Sequence, residues 1–215
     1  MRPRNIDVAS NNIENINNTK HIINFINFIF MTITLSLAPL IKIYKEKGPH
    51  QYGLTGVTQL EHALQGACLA ERDGCPPHLI VATLLHDVGH MVHDLGEAPA
   101  AAGVDDLHQR LGADFLSRWF GGAVCQPVRL HVAAKRYLCS AEAGYMESLS
   151  GDSIRSLRLQ GGVMSDEEVK RFCSTAGFED AVQLRRYDDQ AKTAGLQTPG
   201  IEYFIDLMVQ CAEAR

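Results

Sequence analysis

An imidazole and a carboxylate stand side by side at His86 and Asp87, inside the string ATLLHDVGHMVH that runs from Ala82 to His93. Leu84, Leu85, Val88, Met91 and Val92 recur there at three- and four-residue steps with no Pro between them. The spacing predicts one helix over Ala82 to His93, with His90 at i+4 from His86 and on the same side. Burying a charge beside Leu and Val is costly unless something compensates, and a bound cation is the usual compensation. His62, His108, His131 and Asp188 complete a candidate ligand set, each falling on a separate predicted helix. Four imidazoles and two carboxylates are more than one divalent ion normally uses, whereas two ions bridged by Asp87 use them all. The set contains no thiolate, which suits iron or manganese rather than structural zinc. Assigned as His62, His86, Asp87 and Asp188 on one ion and Asp87, His108 and His131 on the other, the second has fewer protein donors. Open positions, and so substrate and oxygen, belong there.

The elements that must position these groups read as helices. Thr58 is a candidate N-cap with Glu61 at capping-box spacing, opening a helix through Glu71 that carries His62. DGCPP (Asp73 to Pro77) breaks the chain before the central helix, and Asp94 to Asp105 is a loop of small and breaker residues suited to a rim over a site. Asp106 is expected to start a helix, DLHQRLGADFLSRWF, and Pro127 the next, PVRLHVAAKRYLCS, where His131 and Lys135 stand one above the other. Ser165 caps SDEEVKRFC. Phe178 to Lys192 forms a further helix with Arg185 and Asp188 on one face, and Pro199 to Arg215 packs at the end. The architecture expected is all-α, a helical bundle with a dinuclear metal site in its centre, in one domain over residues 31–215.

Residues 1–30 differ in character from the remainder of the chain. They are rich in Asn and Ile with no clear amphipathic period, so weak local order is expected, as an upstream extension that is disordered or not native, with Met31 as the natural start. Thr32 to Gly48 reads as a short amphipathic helix. His21 to Ile41 is apolar enough to raise the question of a membrane segment. Asn24 and Asn27 interrupt it, Pro39 sits near its end and it has no cleavage site, so no membrane association is expected.

The formal net charge of −5 comes with no basic run, which disfavours nucleic acid and anionic membrane as partners. Six cysteines are spread singly, a pattern of free thiols in a reducing cytoplasm. Neither G-x-G-x-x-G nor G-x-x-x-x-G-K-[ST] occurs, which argues against a nucleotide-binding parallel sheet.

The order H…HD…H…H…D resembles the HD-domain superfamily in its dinuclear form. Four longer strings are closer still: TQLEHALQ (Thr58 to Gln65), LLHDVGH (Leu84 to His90), HVAAKRYL (His131 to Leu138) and QGG (Gln160 to Gly162). Together they resemble the mixed-valent diiron oxygenases of the PhnZ/TmpB type, relatives of myo-inositol oxygenase that cleave the C–P bond of 1-hydroxyphosphonates. The resemblance covers Tyr52 to about Phe204. It implies an Fe(II)/Fe(III) pair bridged by Asp87, with O2 and an organophosphonate as substrates and a 2-oxoglutarate-dependent hydroxylase upstream. It implies that Lys135, Arg185 and Ser153 meet the phosphonate, that His90 hydrogen-bonds the substrate near the iron, and that Tyr52 closes on the iron when substrate is absent.

Members acting on the primary amine carry Glu three residues after the loop tyrosine, where this chain has Thr55. That departure favours a trimethylammonium substrate held by aromatic faces, with Tyr52, Tyr137 and Tyr145 as candidates and Asp152 supplying charge. The reaction implied gives glycine betaine and phosphate. The primary-amine reaction and an HD-type metal-dependent phosphohydrolase are the alternatives, and the hydrolase would use the same ligands to aim a metal-bound water at phosphorus. A catalytically silent sensor is a third reading, disfavoured by the complete ligand set.

Overall fold

The computed structural model describes residues 7–52, 56–93, 95 and 99–212, without the side chains of residues 7–21, 51, 52, 99 and 101. Twelve α-helices lie along the described chain: α1 Asp7–Ser36, α2 Ala38–Lys47, α3 Gln59–Arg72, α4 Pro77–Leu85, α5 Gly89–Val92, α6 His108–Leu116, α7 Gly122–Ala141, α8 Tyr145–Ser148, α9 Gly151–Leu159, α10 Asp166–Cys173, α11 Phe178–Gln190 and α12 Ile205–Cys211. The strand content among the described residues is one antiparallel pair, β1 Gln51–Tyr52 with β2 Val57–Thr58, and an isolated bridge from Phe120 to Ala212. The fold is all-α.

Two compact units divide at residues 38 and 39. In the first, Asp7–Ser36 is one helix of 30 residues. Its sequence holds no Pro or Gly to end it, and the Thr32 and Thr34 hydroxyls bond back to the carbonyls of Phe28 and Phe30 rather than leaving the helix. The stretch Ile22–Lys47, 26 residues, contains an 18-residue window of mean hydropathy 1.8, long and apolar enough to cross a membrane by length and composition alone.

The second unit carries every candidate ligand. Helix α7 packs against α11, α6, α4 and α10, and α3 against α4 and α11, so four ligand-bearing segments converge around α7. Helix α3 begins as expected, with Thr58 Oγ1 accepting from the Glu61 N–H and Glu61 accepting from the Thr58 N–H. Helix α4 starts with Pro77, whose missing N–H costs nothing at that position, and is buried from Leu79 through Leu85. An all-round apolar helix has no solvent face, and the groups at its C-terminal end are therefore held in the core.

Three expected boundaries are corrected. The single helix over Ala82 to His93 is two, because the chain tightens at His86–Val88 into three-residue turns, Val88 N–H to Leu85 O and His90 N–H to Asp87 O. Close backbone packing is the cause: a Cβ on Gly89 would lie 1.9 Å from the His108 carbonyl oxygen, and a Cβ on Gly112 would meet the Gly89 nitrogen at 3.1 Å. Helix α6 starts at His108 rather than Asp106, after Leu107 with φ 52, and ends at Leu116 rather than Phe120. Helix α7 starts at Gly122 and carries Pro127 inside its early turns, so Pro127 does not begin it.

The Gly89 contact is testable. Gly89→Ala drives a methyl group into the His108 backbone, which is overpacking against main chain rather than a flexible side chain, and lowers stability by about 3 kcal/mol. Thermal unfolding checks this as a fall of roughly 6 to 12 °C. An unchanged melting point would mean that the two backbones separate without cost.

Candidate metal centre

His62 comes from α3, His86 and Asp87 from the turn after α4, His108 from the first position of α6, His131 from α7 and Asp188 from α11. All six are buried. They form two clusters, His62 with His86 and Asp188, and Asp87 with His108 and His131, each with ligand atoms within 4.8 Å of one another.

Hydrogen bonds fix which nitrogen of each imidazole faces inward. Nδ1 of His62 lies 2.8 Å from Ala191 O, Nδ1 of His86 2.8 Å from Thr83 O, Nδ1 of His131 2.7 Å from Val128 O, and Nδ1 of His108 2.8 Å from Asp106 Oδ1. Carbonyl and carboxylate oxygens only accept, so each Nδ1 carries hydrogen and each Nε2 turns to the centre. There the His62 and His86 Nε2 atoms are 3.2 Å apart, and those of His108 and His131 3.1 Å. Two nitrogen lone pairs at that distance repel unless a cation lies between them.

Asp87 sits between the clusters. Its Oδ1 is 3.4 Å from His86 Nε2, 3.6 Å from His131 Nε2 and 3.7 Å from His108 Nε2, while Oδ2 is 3.6 Å from His62 Nε2. Asp188 Oδ1 is 3.4 Å from His62 Nε2. Neighbouring donors on an ion with bonds of about 2.1 Å are about 3 Å apart, so the spacings suit ligation with slight contraction. Asp87 Oδ2 and Asp188 Oδ1 are buried with no hydrogen-bond partner, the mark of an acceptor awaiting a cation.

The protonation states agree. Burial depresses the His86, His108 and His131 imidazoles, keeping them neutral with a lone pair to give. Burial pushes the Asp87 carboxyl up, but His86, His90 and His108 outweigh it and hold Asp87 ionised. Asp188 is likewise raised by burial and brought well down by Arg185 and Lys192. Neutral imidazoles and ionised carboxylates are the forms a metal takes.

Beside this centre lie the residues expected to meet an anion. Lys135 is buried on α7 and donates to Ser156 Oγ at 2.7 Å. Burial, then the Arg185 charge, lowers its ammonium to about 7. Ser153, also buried, lies on the same helix as Ser156, whose hydroxyl donates to the Ser153 carbonyl. Arg185 donates through Nη1 to Asp188 Oδ2 at 2.6 Å, through Nη2 to Asp189 Oδ1, and through Nε to Tyr145 Oη and Asp189 Oδ2. Three of its five N–H groups are engaged, which leaves two for a ligand. His90 stacks on His108 with ring centroids 4.0 Å apart, so it reaches the centre beside His108 rather than one helical turn above His86.

The other residues expected to contact substrate have these partners. Tyr137 packs among Phe172 and Phe178, and the Tyr145 hydroxyl donates to Asp189 and accepts from Arg185 Nε. Asp152 pairs with Arg155 at 3.4 Å in the first turn of α9. The Tyr52 side chain and Thr55 lie outside the described residues. Sequence reasoning missed Asp106, Asp189, Ser156 and Lys192, the last 3.4 Å from Asp188 Oδ1. The i,i+4 spacing of Arg185 to Asp189 was a usable signal for one of them.

No sequence-family model matches the chain. It is 39% identical over 166 residues to the [1-hydroxy-2-(trimethylamino)ethyl]phosphonate dioxygenase (glycine-betaine-forming) of Leisingera caerulea, covering 77% of this chain and 85% of that one. It is 42% identical over 175 residues to the hydroxymethylphosphonate dioxygenase of Gimesia maris, covering 81% and 87%. An uncharacterized protein of Acanthamoeba polyphaga mimivirus, L432, is 32% identical over 173 residues. Identity at this level over most of both chains, with a buried centre of four histidines and two aspartates, places the chain in the family of HD-domain phosphonate dioxygenases.

Proposed function

We propose that the protein oxidatively cleaves the C–P bond of a 1-hydroxyphosphonate, using two iron ions bridged by Asp87. The pair of Nε2–Nε2 contacts with a carboxylate between them carries the reading, since it needs two cations to be electrostatically reasonable. His62, His86, Asp87 and Asp188 would hold one ion, and Asp87, His108 and His131 the other. The iron pair, when bound, supplies the redox chemistry with O2. The net conversion takes R–CH(OH)–phosphonate and O2 to a carboxylic acid and phosphate; C1 gains two bonds to oxygen as the C–P and C–H bonds break. The chain's own groups bind and orient: Lys135, Ser153 and the remaining N–H groups of Arg185 meet the phosphonate, and His90 meets the C1 hydroxyl. Tyr52 and Thr55 would close over the substrate, with Asp152 supplying charge to its amine.

The substrate proposed first is 1-hydroxy-2-(trimethylammonio)ethylphosphonate, giving glycine betaine, on the Thr55 departure and on the name of the Leisingera relative. Hydroxymethylphosphonate is the second, favoured by the name of the Gimesia relative. An upstream 2-oxoglutarate-dependent hydroxylase would supply the C1 hydroxyl. A cytoplasmic location is proposed on six cysteines spread singly along the sequence, with no C-x-x-C pair. Both substrates should release phosphate only in air, with betaine or formate as the respective co-product. Release at the same rate under nitrogen would make the enzyme a hydrolase and sink the oxygenase reading.

Lys135 adds a pH test. An ammonium lowered to about 7 loses its charge as pH rises through that value, and the dianionic phosphonate loses a partner. KM is expected to climb above that pH, approaching about tenfold per unit, while kcat changes little. A flat KM profile would remove Lys135 from the phosphonate contact.

A further inference from the structure

One buried carboxylate beside the centre is not among the ligands. Asp106 precedes α6 and meets three imidazoles: Oδ1 is 2.8 Å from His108 Nδ1, and Oδ2 is 2.6 Å from His90 Nδ1 and 3.1 Å from His93 Nε2. The His108 backbone N–H also reaches Oδ1, at 3.3 Å. Leu107, between them, takes a left-handed φ of 52, an uncommon conformation for a leucine, and this folds Asp106 back over the ring two residues on.

These contacts fix the hydrogen positions. His93 Nδ1 accepts from the Leu95 N–H at 3.2 Å, so its hydrogen is on Nε2 and donates to Asp106. His90 and His108 each turn Nδ1 to an oxygen of Asp106, so both carry hydrogen there and turn Nε2 the other way. For His108 that nitrogen faces Asp87 and His131; for His90 it lies 3.8 Å from Asp87 Oδ1. The trio of His90, Asp106 and His108 is close enough to ligate an ion itself, but a His108 committed through Nε2 keeps hydrogen on Nδ1, which donates instead.

We propose that Asp106 is a positioning residue that fixes, with one carboxylate, both the His108 nitrogen that holds the second ion and the His90 nitrogen that faces substrate, with His93 as the strut on Oδ2. The proposal rests on the two-ion reading above. A carboxylate accepts on both oxygens, whereas the amide of Asp106→Asn accepts on one and must point an N–H at a donor on the other side.

The test is titration of metal-free protein with Mn(II) under nitrogen, without substrate, beside the unsubstituted chain. The weaker of the two binding steps should lose about 10- to 100-fold in affinity while the tighter step is unchanged. At saturating iron, kcat should fall by more than KM for the phosphonate rises, since His90 at the C1 hydroxyl is displaced while the phosphonate contacts on α7, α9 and α11 stay. Equal weakening of both steps, or of neither, overturns the proposal, because a merely structural aspartate has no reason to single out one ion. Should Asp106→Asn not fold, His93→Asn removes the strut alone and is read the same way. If the unsubstituted chain binds two ions yet oxidises no phosphonate, the proposed function fails while the titration still decides the role of Asp106.

Discussion

Asp87→Ala is expected to abolish turnover and empty both metal positions, whereas His131→Ala empties one. The difference follows from reach. Asp87 presents Oδ1 to His86, His108 and His131 and Oδ2 to His62, so its removal takes a donor from both ions at once. His131 faces Asp87 and His108 only through Nε2, and its loss leaves the His62, His86 and Asp188 cluster whole. Metal analysis should read roughly two irons in the unsubstituted chain, about one in His131→Ala and close to none in Asp87→Ala. The metal-free Asp87→Ala chain should stay folded, since the apolar helix faces around the centre are unchanged. What disappears is stabilisation by added metal, about 2.7 kcal/mol at a hundredfold excess over Kd in the parent. Two irons retained in Asp87→Ala would remove the bridge.

The gathering of four histidines and two aspartates in the core was legible in the sequence because these polar residues fall on or beside apolar helix faces, and such breaks have few bland explanations when six of them occur. His86 and Asp87 follow Leu84 and Leu85, and the structure puts all four in the core. The turn between α4 and α5 was not legible. Its cause is Gly89 against the His108 backbone, a contact between residues far apart in sequence, and periodicity over Ala82 to His93 carries no trace of it. Asp106 escapes a sequence reading for the same reason: two residues before His108 it reads as a helix start, and only the left-handed Leu107 turns it inward. For the aromatic contacts expected of a trimethylammonium group, the sequence carries residue type alone. Tyr137 and Tyr145 have the right residue type, but type does not say whether a face is already used by Phe172 and Phe178, or a hydroxyl by Asp189.

Arg185→Met is the second large effect, and it separates two roles of one side chain. Arg185 is buried and its guanidinium spans Asp188 and Asp189; burial would lower its pKa, but the two carboxylates more than restore it. Replacing it leaves two carboxylates without their main partner, one of them fully buried, at a cost of about 3–5 kcal/mol. That is a large share of a domain's stability, with a melting point lower by roughly 6 to 20 °C. The sign of the pH dependence is fixed by Asp188, whose pKa in the fold lies well below the ordinary 3.8. Its pairing stabilises above that ordinary value and the contribution fades as pH falls below it, so the gap between parent and variant should narrow in acid. Added metal supplies a new counter-charge for Asp188 and should recover part of the lost stability, scaling with the logarithm of its concentration. Metal cannot replace the two N–H groups that Arg185 has left for the phosphonate, so KM should stay raised in the metal-loaded variant even where its melting point has recovered. A KM that returns with the melting point would assign Arg185 to Asp188 and Asp189 alone and leave the phosphonate to Lys135 and Ser153.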